Sequence, residues 1–265
     1  MTTEDSNNAS ITTSSIVIDQ FSRQAAGYAA SATIRNDGLL ERMVNLIAPG
    51  PADEFLDVAC GPGLVVCAFA PHVRSATGID LTPAMLAEAF LVQAERRLTN
   101  VSWIKGDVAR LPFADDAFSI VTSRYAFHHF VDPGRVLSEM ARVTRPGGTI
   151  LIVDSAPAPE KAKAFNFLEC LRDNSHQKAL TPGEFGVLFA TAGLVLSHVE
   201  HFRLAGDLDS PLSRSFPLEG DEERIRAMLV SALDEDFLDV QPRRVDGKIA
   251  YGFPIGIFKL VKPEN

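Results

Sequence analysis

The junction at residues 54–70 constrains this chain most. The strand-like run Glu54-Phe55-Leu56-Asp57-Val58 breaks at once into Ala59-Cys60-Gly61-Pro62-Gly63 and then into the apolar run Leu64 to Ala70. Strand, glycine turn and helix follow one another without a spacer. Glycines at 61 and 63 let the backbone turn tightly and bring bare N–H groups close to a ligand at a helix start, where the helix dipole favours negative charge. A plain tight turn between strand and helix is the competing reading of the same residues.

The alternation then repeats. A second strand ends at Gly78-Ile79-Asp80, and Thr82 caps a helix with Pro83 at its first position and Met85, Leu86, Ala89 and Phe90 inside. A third strand, around Val101 to Lys105, ends at Gly106-Asp107. The fourth, Phe118 to Ser123, is a continuous β-favouring run of the kind covered by helices on both faces, and it leads into Tyr125-Ala126-Phe127-His128-His129. Asp132 and Pro133 open a helix with Val136, Leu137, Met140 and Val143 on one face, closed by Pro146-Gly147-Gly148 before a fifth strand, Thr149 to Val153. Such an order specifies an α/β fold: a parallel sheet, helices on both faces, right-handed crossovers, and ligands at the carboxyl ends of the strands.

Both ends of the chain elaborate this core. Residues 1–15 are polar and Ser/Thr/Asn-rich and read as a disordered tail. From Asn36 onward Leu39, Leu40, Met43, Val44 and Ile47 recur at helical spacing until Pro49-Gly50-Pro51. Beyond Asp154 order loosens until Thr181-Pro182-Gly183-Glu184, a capping box whose helix Gly193 ends. Two more strands are expected at Leu194 to Val199 and Ile255 to Val261, with helical periodicity between them from Asp221 to Leu233. At 265 residues, with 46% hydrophobic and 22% charged, residues 16–265 read as one domain.

A formal charge of −9 opposes a phosphate-tracking surface, so nucleic acid is not an expected partner. Three cysteines cannot all pair within one chain, and Cys60, Cys67 and Cys170 match no zinc pattern. The opening residues lack the basic start and apolar core of a secretory signal, and no later stretch approaches the roughly eighteen apolar residues of a spanning helix. A cytoplasmic protein, monomer or homodimer, without stable membrane insertion is expected.

Asp80 sharpens the glycine loop, because a carboxylate ending the second strand can accept both hydroxyls of a ribose. In the dinucleotide pattern G-x-G-x-x-G the third glycine permits close helix packing, and here that place is Val66, which argues against a nicotinamide-dependent oxidoreductase. With these residues in hand, the chain resembles the class I S-adenosylmethionine-dependent methyltransferases, in the branch similar to ubiquinone and menaquinone biosynthesis methyltransferases. The likeness spans roughly residues 20–154. Its motifs are Leu56-Asp57-Val58-Ala59-Cys60-Gly61-Pro62-Gly63, Gly78-Ile79-Asp80, Gly106-Asp107-Val108-Ala109-Arg110-Leu111-Pro112-Phe113 and Arg145-Pro146-Gly147-Gly148.

The resemblance implies a Rossmann-like seven-stranded mixed sheet whose last strand is antiparallel, with an added lid. It divides the domain into lid helices (16–48), a cofactor core (53–154), an acceptor-pocket elaboration that includes the sixth strand (155–247) and a final strand (248–265). The implied cofactor is S-adenosyl-L-methionine. The loop holds its amino-acid part, Asp80 its ribose and Asp107 its adenine amino group; Met85 packs near the adenosine, and Tyr28 closes over it from the segment Gln20 to Tyr28. Asp57, Ala59, Gly61, Gly63, Leu81, Val108 and Ser123 complete the expected cofactor set. Ala59 departs from the family, which usually has glycine there.

The partner implied is a small methyl acceptor, electron-rich or partly hydrophobic. Where nucleobase and glutamine methyltransferases carry an acidic or Asn residue, two prolines and an aromatic, this chain reads Ser123-Arg124-Tyr125-Ala126. No metal is expected, since His128 and His129 would diverge on a helix and lack a partner at ligand spacing. His128 and His176 are the candidate bases, with Asp173 to orient His176 and Arg172 to hold an anionic acceptor. A non-catalytic cofactor-binding protein is the remaining alternative.

Overall fold

The computed structural model describes residues 3–264, with side chains from residue 15 onward. Helices α1 (Thr3–Ala30), α2 (Ala32–Arg35) and α3 (Asp37–Ile47) open the chain. The expected tail at 1–15 falls partly outside the described residues, which exclude residues 1 and 2 and the side chains through 14. From Thr3 the backbone is helical, unlike the tail expected. With Gln20, Gln24, Ala25 and Ala29 buried, α1 is already nucleated, and further turns propagate at little cost. Asn36 caps α3 by accepting the Leu39 N–H at 3.2 Å, and Leu39, Leu40 and Met43 form its buried face.

The core follows in strict alternation: β1 (Glu54–Val58), α4 (Leu64–Phe69), β2 (Ser75–Asp80), α5 (Pro83–Glu95), β3 (Val101–Lys105), β4 (Phe118–Arg124), α6 (Pro133–Val143) and β5 (Thr144–Ser155). The remainder is α7 (Ala162–Arg172), α8 (Pro182–Thr191), β6 (Val195–Asp207), α9 (Asp209–Ser215), α10 (Asp221–Ser231), β7 (Arg243–Val245) and β8 (Lys248–Val261). The sheet runs β3-β2-β1-β4-β5-β8-β6, with β7 added against β8. β1 to β5 are parallel, and β8 is antiparallel to both β5 and β6. This is the expected α/β sheet with an antiparallel final strand; the eighth strand, β7, is a short hairpin turned by Asp246 and Gly247, both at positive φ.

Why the central strands read as unbroken apolar runs is visible in the two cores. Phe55, Ile120, Leu151 and Val153 pack with α3 and α4 on one face; their neighbours Leu56, Val121, Ile150 and Ile152 pack with α6 and α8 on the other. Successive strand side chains point to opposite faces, so both must be apolar. A third core joins α7, α9 and α10 through Phe165, Leu168, Leu171, Leu212, Ile225 and Leu229. α7 fills the stretch after Asp154 where no element was expected. α8 carries the predicted capping box in full, with Thr181 Oγ1 accepting the Glu184 N–H and Glu184 accepting the Thr181 N–H. Among the described residues no helix is long and apolar enough to cross a membrane.

Gly63 is set by packing. Its φ is +73°, and a Cβ there would run into the Trp103 ring and stand 2.9 Å from Ala89 Cβ. Gly63→Ala should therefore lower unfolding free energy by about 2 kcal/mol or more, through left-handed strain plus overpacking; denaturant unfolding with a loss below 0.5 kcal/mol, on the order of a surface change, would contradict that role.

Candidate active site

Strand order reverses between β1 and β4, and the loops leaving their carboxyl ends part there. A cavity of about 480 Å³ occupies the gap, lined among others by Tyr28, Asp57, Ala59, Gly61, Asp80, Leu81, Met85, Asp107 and Val108. Nine of the residues expected around a cofactor thus line this one cavity. Gly61, at φ +51°, leaves its wall open, since an added Cβ would meet nothing nearer than Met85 Sδ at 4.0 Å. Ala59 takes φ +58°, the conformation the family's glycine would hold freely; for alanine it costs about 1–2 kcal/mol.

Asp80 braces the loop. Its Oδ2 accepts the Gly61 N–H at 2.8 Å and its Oδ1 the Thr82 N–H at 2.8 Å, and each oxygen retains acceptor capacity. Burial raises its pKa against the pull of these hydrogen bonds. Asp57 accepts from Thr122 Oγ1 at 2.6 Å, and burial, partly opposed by Thr122, pushes it up to about 7. Asp107 is exposed and accepts the Ala109 N–H at 2.9 Å.

Two residues absent from the sequence expectation stand at the end of β4. Arg124 lines the cavity, lies over the Tyr125 ring at 5.1 Å, and has a buried Nη1 without a partner. Tyr125 adopts φ +56°, rare for a bulky residue, and its buried hydroxyl also lacks a partner. Gly63 and Ser123 do not line the cavity. Gly63 abuts Trp103, and Ser123 Oγ donates to Val58 O at 2.9 Å, tying β4 to β1.

A second cavity of about 90 Å³ adjoins the first, and Phe21, Tyr28, Tyr125 and His129 line both. His128 faces only the smaller one. Its Nδ1–H donates to Asp154 Oδ1 at 2.6 Å, while Asp154 also accepts the N–H groups of Ala126, Phe127 and Ser155. Burial lowers the His128 pKa, but the Asp154 charge and hydrogen bond overcome it and the net shift is upward. His129 Nδ1–H donates to Ser175 O at 3.1 Å, and burial together with His128 depresses its pKa to about 4. That leaves a neutral ring lining both cavities.

His176 lines neither cavity. It is buried, its ring centroid 5.5 Å from that of His128, and its Nε2–H donates to Asn166 Oδ1 at 2.7 Å. Burial, with His128 next, lowers its pKa to about 2. Asp173 does not orient it; that carboxylate accepts from Ser175 Oγ at 2.5 Å and from Gln24 Nε2 at 3.2 Å. Arg172, expected to hold an anionic acceptor, is instead a fork on Glu169, with contacts of 2.6 to 3.2 Å. Among the described residues no cluster of three His, Cys, Asp or Glu is placed to hold a metal.

A glycine loop braced by a carboxylate at the switch point of this sheet is where an open α/β fold binds its ligand, and comparison with known proteins shows the family. Residues 56–152 match the family model described as a methyltransferase domain. The chain is 35% identical over 182 residues to the uncharacterized methyltransferase YcgJ of Bacillus subtilis strain 168, covering 68% of this chain and 72% of that protein. The crystal structure of YcgJ matches with a TM-score of 0.81 at 28% identity, over 87% of this chain and 100% of that one. A putative methyltransferase from Bacillus halodurans C-125 gives a TM-score of 0.79 at 29% identity, over 84% and 98%. The UbiE C-methyltransferase of ubiquinone and menaquinone biosynthesis from Roseobacter denitrificans is 33% identical over 131 residues, 48% of this chain and about half of that protein, 52%. The chain belongs to the S-adenosylmethionine-dependent methyltransferase family.

The unpaired Tyr125 hydroxyl has a measurable consequence. A buried hydroxyl without a partner costs about 1–3 kcal/mol, so Tyr125→Phe should leave the unfolding free energy of the ligand-free protein unchanged or higher. A loss above about 1 kcal/mol, the worth of an ordinary hydrogen bond, would mean that the hydroxyl has a structural partner.

Proposed function

We propose that the protein transfers a methyl group from S-adenosylmethionine to a small acceptor held in the second cavity. The observation that carries this reading is the common wall: the larger cavity and a smaller one meet at Phe21, Tyr28, Tyr125 and His129. The residues suit the cofactor's zwitterionic end. Asp57 offers a carboxylate to the ammonium, and the orphaned Arg124 Nη1 offers a cation to the carboxylate. In this reading Asp80 takes the ribose, Asp107 the adenine amino group, and Tyr28 closes the cavity from α1; all three line the larger cavity.

When bound, S-adenosylmethionine supplies a methyl group already activated on a sulfonium. The chain's part is alignment, exclusion of water and management of one proton. Alignment is the larger effect, worth effective molarities of about 10⁵–10⁸ M, against about 10²–10⁴-fold for a general base. Of the two histidines expected as bases we assign the proton to His128: Asp154 fixes Nδ1 as the protonated nitrogen, and Nε2 takes the acceptor's proton as the new bond to the methyl group forms. His176, engaged with Asn166, packs behind it. Free thiols at Cys60, Cys67 and Cys170 support a reducing, cytoplasmic setting.

Two pH dependences follow with opposite origins. A cation beside Asp57 favours its ionised form, so affinity for S-adenosylhomocysteine should be full above pH 7 and fall as pH drops below it, by up to about tenfold per unit. Calorimetry between pH 5.5 and 8 checks this, and Asp57→Asn should remove the slope; an equal slope in that variant would overturn the assignment. Turnover should rise with pH as His128 loses its proton, reaching a plateau above its raised pKa. In Asp154→Asn the midpoint should move to lower pH, while His128→Ala should lower kcat by about 10² or more and leave S-adenosylhomocysteine affinity within threefold. A screen of phenols, quinols and nitrogen heterocycles supplies the acceptor for these assays, and an unshifted profile in both variants would exclude His128 as the base.

A further inference from the structure

Around the second cavity the cations pair with carboxylates, with one exception. Glu169 is taken by the Arg172 fork, with Asp173 3.8 Å from the same guanidinium. Asp154 is taken by His128. Asp207 lies at the exposed rim, where its Oδ1 accepts the Ser210 N–H at 2.8 Å at the start of α9. Arg214, also on the wall, has only two hydroxyls in reach, Ser210 Oγ at 3.2 Å and Ser31 Oγ at 3.4 Å. It forms no ion pair among the described residues. Burial first, and the neighbouring Arg172 second, lower its pKa; the phenols of Tyr28 and Tyr251 and, least, the Glu169 carboxylate push the other way without forming an ion pair with it.

A guanidinium in this position lacks the counter-ion that desolvated cations ordinarily require. Its planar fork matches a carboxylate bidentately. The lining also carries apolar side chains, among them Ile34, Leu204, Phe253 and Ile255, alongside the polar groups already named. Resting on the reading that this cavity holds the methyl acceptor, we infer that it selects acceptors carrying a carboxylate on a compact apolar body, with Arg214 as the anchor of that carboxylate. Arg172 cannot serve this role without giving up Glu169. A dianionic phosphate fits less well, because Glu169 and Asp207 stand on the same wall and only one cation there is unpaired.

The test pairs carboxylates with neutral isosteres: acetate, isobutyrate and benzoate against acetamide, isobutyramide and benzamide, with methyl phosphate as a further arm. Each is titrated by ligand-observed NMR, with and without saturating S-adenosylhomocysteine. At least one carboxylate should bind about tenfold or more tightly than its amide, the worth of a charge-assisted hydrogen bond. Arg214→Gln should erase that preference while Arg214→Lys retains part of it, with S-adenosylhomocysteine affinity unchanged in both. Equal binding of acid and amide to the parent protein, an undiminished preference in Arg214→Gln, or a preference for methyl phosphate would overturn the inference. The parent comparison decides the matter even if a variant misfolds. Failure of S-adenosylhomocysteine to bind would count against the proposed function alone, because the acid–amide comparison is also made without it.

Discussion

Between β1 and β4 the sheet changes its direction of winding, and nearly everything functional in this chain depends on that reversal. The segments leaving the two strands diverge and leave a crevice that no side chain of the core fills. Asp80, ending β2, holds the near side of the crevice by accepting N–H groups from the glycine loop and from the start of α5. Asp154, at the end of β5, holds the far side by accepting from Ala126, Phe127, Ser155 and His128. Two buried carboxylates, each satisfied chiefly by backbone donors, thus fix the loops that form the cavities.

The same economy governs protonation. Three imidazoles, His128, His129 and His176, crowd together with ring centroids 4.2 to 6.4 Å apart. Only one has a carboxylate in direct hydrogen-bond contact, and its pKa alone moves up; the other two are driven down by burial and by the charge on His128. Proton affinity is thereby concentrated on one ring facing the small cavity, with a neutral acceptor, His129, beside it. The strained φ of Tyr125 sits at the same place, consistent with strain persisting where the surroundings over-determine a conformation.

Much of this was legible in the sequence, for identifiable reasons. The central strands β1, β4 and β5 are readable because they are buried on both faces, the edge strand β3 because Gly106-Asp107 closes it, and nine of the residues expected around a cofactor line the larger cavity. Gly63 and Ser123, expected in the cofactor set from the motif, do not line the larger cavity; Gly63 packs against Trp103 and Ser123 bonds to β1. Arg124 was read only as part of a missing motif, because a cation's lack of a partner is a three-dimensional fact. The sequence sets Arg172 and Asp173 next to His176, but the chain turns after α7 and hands those charges to Glu169 and Ser175. α7 itself carries Phe165, Leu168 and Leu171 at three-residue spacing, a signal present but obscured by the polar residues around it, and the Asp246-Gly247 hairpin was equally available from turn chemistry.

That two adjoining cavities act as donor and acceptor sites is tested most directly by a crystal structure with S-adenosylhomocysteine bound. The ligand should occupy the larger cavity with its ribose hydroxyls on Asp80, its amino-acid end between Asp57 and Arg124, and its sulfur directed at the wall formed by Phe21, Tyr28, Tyr125 and His129. A ligand elsewhere, or a sulfur turned away from that wall, would contradict the arrangement.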